Sequence, residues 1–349
     1  MDISKVDKNF AIPAGNGEQD LEYYDVNSAP FKVYGVTHQD GEFKRMPKSV
    51  AQTVSEGVTI LHRMSAGGRV RFRTDSLKIR VYGEVDVCRM NHMASSGSSG
   101  FAVFADGVFT CAVIPTQDCD TSCAGSVTFP TKKMREITVY FPLYSCTRNV
   151  YIGLEKGATV KETKGYKPYK PIVYYGSSIT QGGCASNPAC AYQSFIERWT
   201  NIDYVNLGFS GNARGEKTMV EYMASLEMSA FVLDYDYNAT SNEQYRESHL
   251  PCYKAIRAAH PDIPILLMSR PTGTRYEESE IRVQIMTDTY NYALQNGDKN
   301  IRMIDGHTLF GKADSTACTV DTCHPTDLGF YKMAKKVYSE LKKFPNFLK

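Results

Sequence analysis

The sequence predicts an α/β protein in two parts, an antiparallel β-sandwich of the jelly-roll kind followed by a three-layer α/β/α domain. Three observations predict this class. Hydrophobicity alternates with period two from about residue 30 to 160. A lysine- and proline-rich stretch then occupies 161–171. Beyond it, short continuous apolar runs alternate with longer helical stretches. The expected division is a sandwich over 1–160, a link over 161–171 and an α/β domain over 172–349.

The sandwich strands come first. Arg69-Val70-Arg71-Phe72-Arg73 sets apolar groups on one face and arginines on the other, and Lys78-Ile79-Arg80-Val81-Tyr82 repeats the pattern. Residues 101–104 and 137–141 continue it. Such strands have one buried and one wet face, as in antiparallel sheets. Gly67-Gly68, Gly83 and Asp106-Gly107 punctuate them as turns. Residues 93–100, MASSGSSG, predict a flexible loop. Residues 161–171 carry two prolines, one glycine and four lysines and bury little apolar surface, as a domain link does.

After the link the period changes. Apolar runs at 172–175, 204–207, 230–233, 263–268 and 301–304 predict strands. Helical stretches are expected at 192–200, 216–226, 242–259, 277–296 and 327–343. Alternating strands and helices mean βαβ crossovers and a parallel sheet, whose ligands bind beyond the carboxyl ends of the strands.

Composition excludes several function classes. The 349 residues hold 40 basic and 38 acidic side chains, a net charge of +2, with no broad electrostatic footprint for nucleic acid. No apolar run approaches the ~18 residues that cross a bilayer. Residues 1–15 hold no apolar core of a secretion signal, so a cytoplasmic location is the default expectation, with secretion the alternative if a leader has been removed. The ten cysteines include the close pairs Cys119/Cys123, Cys184/Cys190 and Cys318/Cys323. Free thiols fit a chain without a leader better than disulfides do. A zinc site from Cys318, Cys323 and His324 is a further option, but its spacing matches no standard module. A homo-oligomer is compatible with the sequence.

Four strand-end segments carry side chains suited to acyl transfer. The first is Gly176-Ser177-Ser178-Ile179-Thr180. A serine at a sharp strand-to-helix turn is open to a base, and its N–H can face the site. Standing alone, the segment also reads as a loop and helix cap. The second, Asn206 to Gly215, holds Gly211, whose N–H can donate to an oxyanion; alone it is a glycine-rich turn. The third is Asp234-Tyr235-Asp236-Tyr237-Asn238. Asn238 donates without titrating, or is an ordinary turn asparagine, and Asp234 with Asp236 forms a weaker acid–base pair. The fourth is Asp321-Thr322-Cys323-His324. A carboxylate three residues before a histidine can hold one ring nitrogen while the other faces a serine, and a cap aspartate beside a surface histidine is the plainer reading. Cys323 adds a thiol alternative to Ser178. His307, after the last strand, competes with His324 as base but lacks an Asp-x-x-His partner. His249 and His260 are expected to be solvated or capping. His38, His62 and His92 fall in the β half, and one of them reaching the site across the interface is an alternative that nothing in the sequence supports.

Together, a nucleophile after the first strand, donors after the second and third, and Asp-x-x-His before the last helix resemble the SGNH/GDSL hydrolases over about residues 170–345. The family's Gly-Asp-Ser-[Leu/Ile] block looks like Gly176-Ser177-Ser178-Ile179, with serine in place of the aspartate. The second-block glycine matches Gly211. The third block, Gly-x-Asn-Asp, keeps only Asn238. The Asp-x-x-His block is intact as Asp321 to His324. The resemblance implies a flavodoxin-like fold, with a first half similar to the jelly-roll domain ahead of some carbohydrate acetyl esterases. It implies Ser178, Asp321 and His324 as catalytic residues, and Ser178, Gly211 and Asn238 as oxyanion donors. It implies no metal and no organic cofactor. The expected activity is a serine esterase releasing acetyl or short acyl groups from a small-molecule or oligosaccharide ester. A lysophospholipase or thioesterase, or a non-catalytic carbohydrate-binding protein, is the alternative.

Overall fold

The computed structural model describes residues 20–272, 275–311 and 314–347. The segment weighed above for a leader, 1–15, lies outside the described residues. The first half is a sandwich of two antiparallel sheets. Strands Arg69–Thr74 and Arg135–Tyr140 pair so that Val70 faces Val139 and Phe72 faces Ile137. These residues meet Ile79, Val81, Ile152 and Leu154 of the second sheet in one buried core. Period-two alternation therefore does what it predicts on the inner face.

The outer face of Arg69–Thr74 is not wet. Arg69 and Arg71 are buried, because this face packs on the second half of the chain. A buried guanidinium needs partners. Arg69 pairs with Asp203, donates to the Tyr166 hydroxyl at 2.8 Å and lies 4.0 Å over the Tyr204 ring. Arg71 donates to Asn201 Oδ1 at 3.0 Å. Alternation reports two faces but not what covers the second.

The second half carries five parallel strands: Ile172–Gly176, Tyr204–Gly208, Ala230–Asp234, Ile265–Met268 and Ile301–Ile304. Their spatial order is second, first, third, fourth, fifth, the flavodoxin-like winding with a switch point beside the first strand. The fourth strand starts after Pro264, which has no N–H for a ladder. Alternate residues of the first strand feed opposite cores. Ile172 and Tyr174 pack under helices Tyr192–Thr200 and Asp327–Leu341. Val173 and Tyr175 pack under Lys217–Ser225, Asn242–Ala259 and Glu277–Gln295. Both cores recruit the first half. Leu143 and Tyr144 enter one, and Ala51, Val58 and Leu61, from the short helices Lys48–Val54 and Glu56–Leu61, enter the other.

Two expectations change here. Residues 93–100 are not a flexible loop. A short helix, Ser95–Ser98, sits there with Gly97 and Ser98 buried. Its serines bind backbone carbonyls: Ser98 Oγ donates to Cys88 O and Ser96 Oγ to Ser186 O, each at 2.6 Å. Short polar side chains that satisfy nearby backbone groups hold such a segment without apolar content. His249 is not solvated either. It is buried within Asn242–Ala259, its Nδ1 2.8 Å from Thr289 Oγ1 and its ring stacked on Tyr235. Burial pushes its pKa down to about 3 from 6.5. Only the unfolded chain takes up that proton between these values, so the stabilisation is whole above pH 6.5 and is lost as pH falls toward 3. Unfolding free energies from urea titrations between neutral pH and mild acid are expected to fall by up to about 1.4 kcal/mol per pH unit from this residue, and the slope is expected to flatten in His249→Gln. His260, by contrast, caps as expected, with Nε2 3.0 Å from Ala224 O.

Candidate active site

Three adjacent strands end at one place. Ser178 follows the first, Gly211 the second and Asn238 the third. Ser178 opens the short helix Ser178–Gln181, capped by Ser177, whose Oγ accepts from Ile179 N at 3.2 Å. Its own N–H belongs to the first helical turn, where no intrahelical acceptor exists. The turn depends on Gly176, where a Cβ would stand 2.1 Å from both Asp234 O and Thr180 Oγ1. Only a residue without a side chain lets the strand end run that close to its neighbour.

His324 Nε2 lies 2.9 Å from Ser178 Oγ, across 146 residues of sequence. His324 Nδ1 lies 2.7 Å from Asp321 Oδ2. The other carboxylate oxygen, Oδ1, accepts from His324 N at 2.7 Å and Cys323 N at 3.1 Å. The carboxylate is thus clamped by the turn that presents the imidazole. Partial burial pushes the Asp321 carboxyl up, but the bonds from His324 and Cys323 outweigh it and hold it below its usual value. Thr322, between them, adopts φ +68°. A β-branched residue in the left-handed region is strained, and strain of this kind collects where a turn must aim two side chains at once. Ser178 is 8% exposed, enough to be reached and too little to be freely solvated.

Gly211 has φ +69° with nothing within 4 Å of where a Cβ would stand. Its backbone conformation favours glycine, and the space over it is open. The Asn238 amide donates to Phe209 O at 2.7 Å, which ties the third strand end to the Gly211 loop. One of its two N–H bonds is so used and the other remains. Gln181 is a positioning residue that the motif did not reveal. It is fully buried, with Oε1 accepting from Ser210 N at 3.1 Å and Nε2 donating to Leu143 O at 3.1 Å. One side chain thereby joins the helix that Ser178 opens, the glycine loop and the sandwich half.

The first half reaches the site elsewhere too. Tyr144 is buried and donates to Ser178 O at 3.2 Å. Arg45, fully buried, donates to Gly208 O and, at 2.6 Å, to Leu61 O. His92 places its ring 5.4 Å from the His324 ring. No periodicity signals these residues, since only the packing of one half on the other brings them in. His38 and His62 stay away from the site, bonded to Arg148 O and Thr59 O.

The competing candidates have other partners. Cys323 lines a neighbouring cleft with Tyr237, Tyr276 and Thr272, and burial pushes its thiol up to about 11, far from a thiolate nucleophile. All ten cysteines are free. Cys318, Cys323 and His324 do not form a donor cluster: among the described residues, their ligand atoms are not gathered within reach of one ion. His307 makes a second line resembling the first, with Nδ1 2.8 Å from Asp305 Oδ1 and Nε2 2.9 Å from Ser279 Oγ. That line is structural. Ser279 is fully buried, and its hydroxyl donates to Tyr276 O at the start of Glu277–Gln295. Asp234 and Asp236 are no acid–base pair open to a substrate. Both are buried, Asp234 under the Thr180 hydroxyl and Asp236 in an ion pair with Arg270.

Known proteins agree with this architecture. The GDSL-like lipase/acylhydrolase family matches residues 169–342, and a family described as the N-terminus of SGNH-hydrolase-type esterases matches 21–160. A comparison with curated proteins found no match. Among solved structures, a protein from Bacteroides ovatus described as a GDSL-like lipase is 26% identical with a TM-score of 0.83, covering 93% of this chain and 98% of its own. A salicylyl-acyltransferase from a tetracycline biosynthetic pathway has the same fold at 18% identity and TM-score 0.79, over 94% of this chain and 99% of its own. So does a family two carbohydrate esterase from Clostridium thermocellum, at 13% identity and TM-score 0.64, over 91% and 99%. The matched families, the two-part fold and the strand-end segments agree: this chain is an SGNH/GDSL hydrolase of the esterase type.

Proposed function

We propose that the protein is a serine esterase that removes acetyl or other short acyl groups from acetylated oligosaccharides through an acyl-enzyme. The observation that carries the reading is the hydrogen-bonded line from Ser178 Oγ through His324 to Asp321, at the carboxyl ends of the parallel strands. His324 Nε2 takes the hydroxyl proton as Ser178 Oγ attacks the ester carbonyl. Asp321 keeps the ring in the tautomer with Nδ1 protonated and stabilises the imidazolium that forms. The N–H groups of Ser178 and Gly211, with the free N–H of Asn238, hold the oxyanion. His324 then protonates the leaving alcohol, and water, deprotonated by the same nitrogen, releases the acid.

Asn238→Ala is expected to lower kcat by about 10²–10³-fold with little change in KM, because the donor acts on charge that develops only in the transition state. Steady-state kinetics on p-nitrophenyl acetate checks it.

The cleft beside Asp321 supports a sugar as the alcohol part. Two tyrosine rings, Tyr237 and Tyr276, line it with the threonines Thr272 and Thr316 in a space of about 570 Å³. Flat faces and hydroxyls together suit a polar ring better than an alkyl chain. The neighbours named as carbohydrate esterases, including an acetyl xylan esterase from Butyrivibrio proteoclasticus, support the same substrate class. The test is twofold: a p-nitrophenyl ester series and acetate release from acetylated xylan and mannan. Turnover is expected to peak at acetyl or butyryl, and acetate is expected from at least one polysaccharide. A peak at octanoyl or longer would favour a lysophospholipase or thioesterase instead.

A further inference from the structure

His92 and Cys184 have no part in the proposed acyl transfer, yet both stand at His324. The Cys184 thiol donates to the His92 carbonyl at 3.4 Å. Among the described residues, one group of three or more His, Cys, Asp or Glu side chains brings its donor atoms close enough to share an ion. It is His92, Cys184 and His324, with the three atoms within 4.8 Å of one another. Each comes from a different segment: His92 from the sandwich half, Cys184 from the loop after the nucleophile helix, His324 from the turn before the last helix.

We propose that these three side chains form an inhibitory site for a divalent cation of the zinc class. Zinc bonds nitrogen at about 2.0–2.1 Å and thiolate sulfur at about 2.3 Å, so a tetrahedral ion draws these donors together by about 1 Å. His92 is exposed and has room to make that movement. His324 already stands as a ligating imidazole does. Asp321 holds its Nδ1 at 2.7 Å, the carboxylate–histidine arrangement that orients a metal-bound ring, and Nε2 is left for the ion. The same Nε2 faces Ser178 Oγ at 2.9 Å. An ion there and a proton taken from Ser178 therefore exclude each other. Two imidazoles and a thiol select a borderline-soft cation over magnesium or calcium, which take oxygen ligands. On binding, the Cys184 S–H bond is exchanged for an S–metal bond and the proton leaves to solvent, with no change of oxidation state. Water or Ser178 Oγ completes the coordination.

The inhibition rests on the esterase reading, but the metal site does not. The test uses the full chain, freed of metal by chelation and then titrated with Co²⁺ and Zn²⁺. Cobalt is expected to give a thiolate-to-metal charge-transfer band that disappears in Cys184→Ser and weakens in His92→Ala. Zinc is expected to suppress p-nitrophenyl acetate turnover, reversibly on chelation. Both variants are expected to keep their metal-free turnover and to need at least about 10-fold more zinc for the same suppression. A cobalt band that survives in Cys184→Ser puts the ion on another thiol and overturns the site. Equal zinc suppression in wild type and both variants overturns the inhibition. A Cys184-dependent cobalt band in a protein without turnover upholds the metal site and overturns the esterase reading.

Discussion

Ser178→Ala is expected to cut kcat on p-nitrophenyl acetate by about 10⁴–10⁶-fold, and His324→Ala by a similar factor. The reason is geometric. A serine hydroxyl is a weak nucleophile until a base takes its proton in the attacking step, and His324 Nε2, the proposed base, stands 2.9 Å away. Removing either partner removes the same step. The double variant is therefore expected to be no slower than the worse single one, with the residual rate left to the oxyanion donors. Losses that multiply would mean the two groups act separately and would sink the shared step. The substitution keeps the fold, since the Ser177 cap and the Gly176 turn are untouched, so thermal unfolding is expected to match wild type.

What the sequence made legible follows from how each feature is encoded. The five parallel strands are continuous apolar runs because both faces are buried, as the two separate cores under Ile172/Tyr174 and Val173/Tyr175 demonstrate. Ser178, Gly211, Asn238, Asp321 and His324 each read alone as a cap or turn residue, and stood out only through their combined order along the chain: a serine after the first strand, donors after the second and third, and Asp-x-x-His before the last helix. The arginine face of Arg69–Thr74 was misread because alternation has the same period whether the second face meets water or protein. The MASSGSSG stretch was misread because its order comes from serine-to-carbonyl bonds across long sequence separations, such as Ser96 to Ser186, and composition carries no trace of them. Tyr144, Arg45 and Gln181 were missed for a related reason. Each acts through contact between the halves.

That contact changes how the first half is understood. Tyr144 and Leu143 bind the Ser178–Gln181 helix through Ser178 O and Gln181, and Arg45 holds the end of the second strand at Gly208. The sandwich is therefore part of the frame that sets Ser178 against Gly211. In a site where donors must be held within fractions of an ångström, a supporting shell of buried, bonded side chains keeps them there.

Asp321→Asn is expected to lower kcat by about 10⁴-fold while leaving KM and unfolding temperature near wild type. The size of the loss follows from which oxygen does what. Oδ1 accepts two backbone N–H groups, from Cys323 and His324. An asparagine must put its carbonyl oxygen there, because an NH₂ group would face two donors. Its NH₂ is then turned on His324 Nδ1 and donates to it. That forces the proton onto Nε2, the nitrogen that must accept from Ser178, and the base is lost with every heavy atom in place. Alanine at the same position removes the orienting carboxylate but admits water, which can accept from Nδ1. Asp321→Asn is therefore expected to be at least as slow as Asp321→Ala, against the ordinary order of conservative and truncating changes. Nitrogen NMR of the His324 ring is expected to report the Nε2-protonated tautomer in the asparagine variant and the Nδ1-protonated one in wild type. Because the hydrogen bonds hold the Asp321 carboxyl below its usual value, it stays ionised in the folded enzyme through mild acid. An asparagine variant within about tenfold of wild type would show that the tautomer is fixed by something other than this carboxylate.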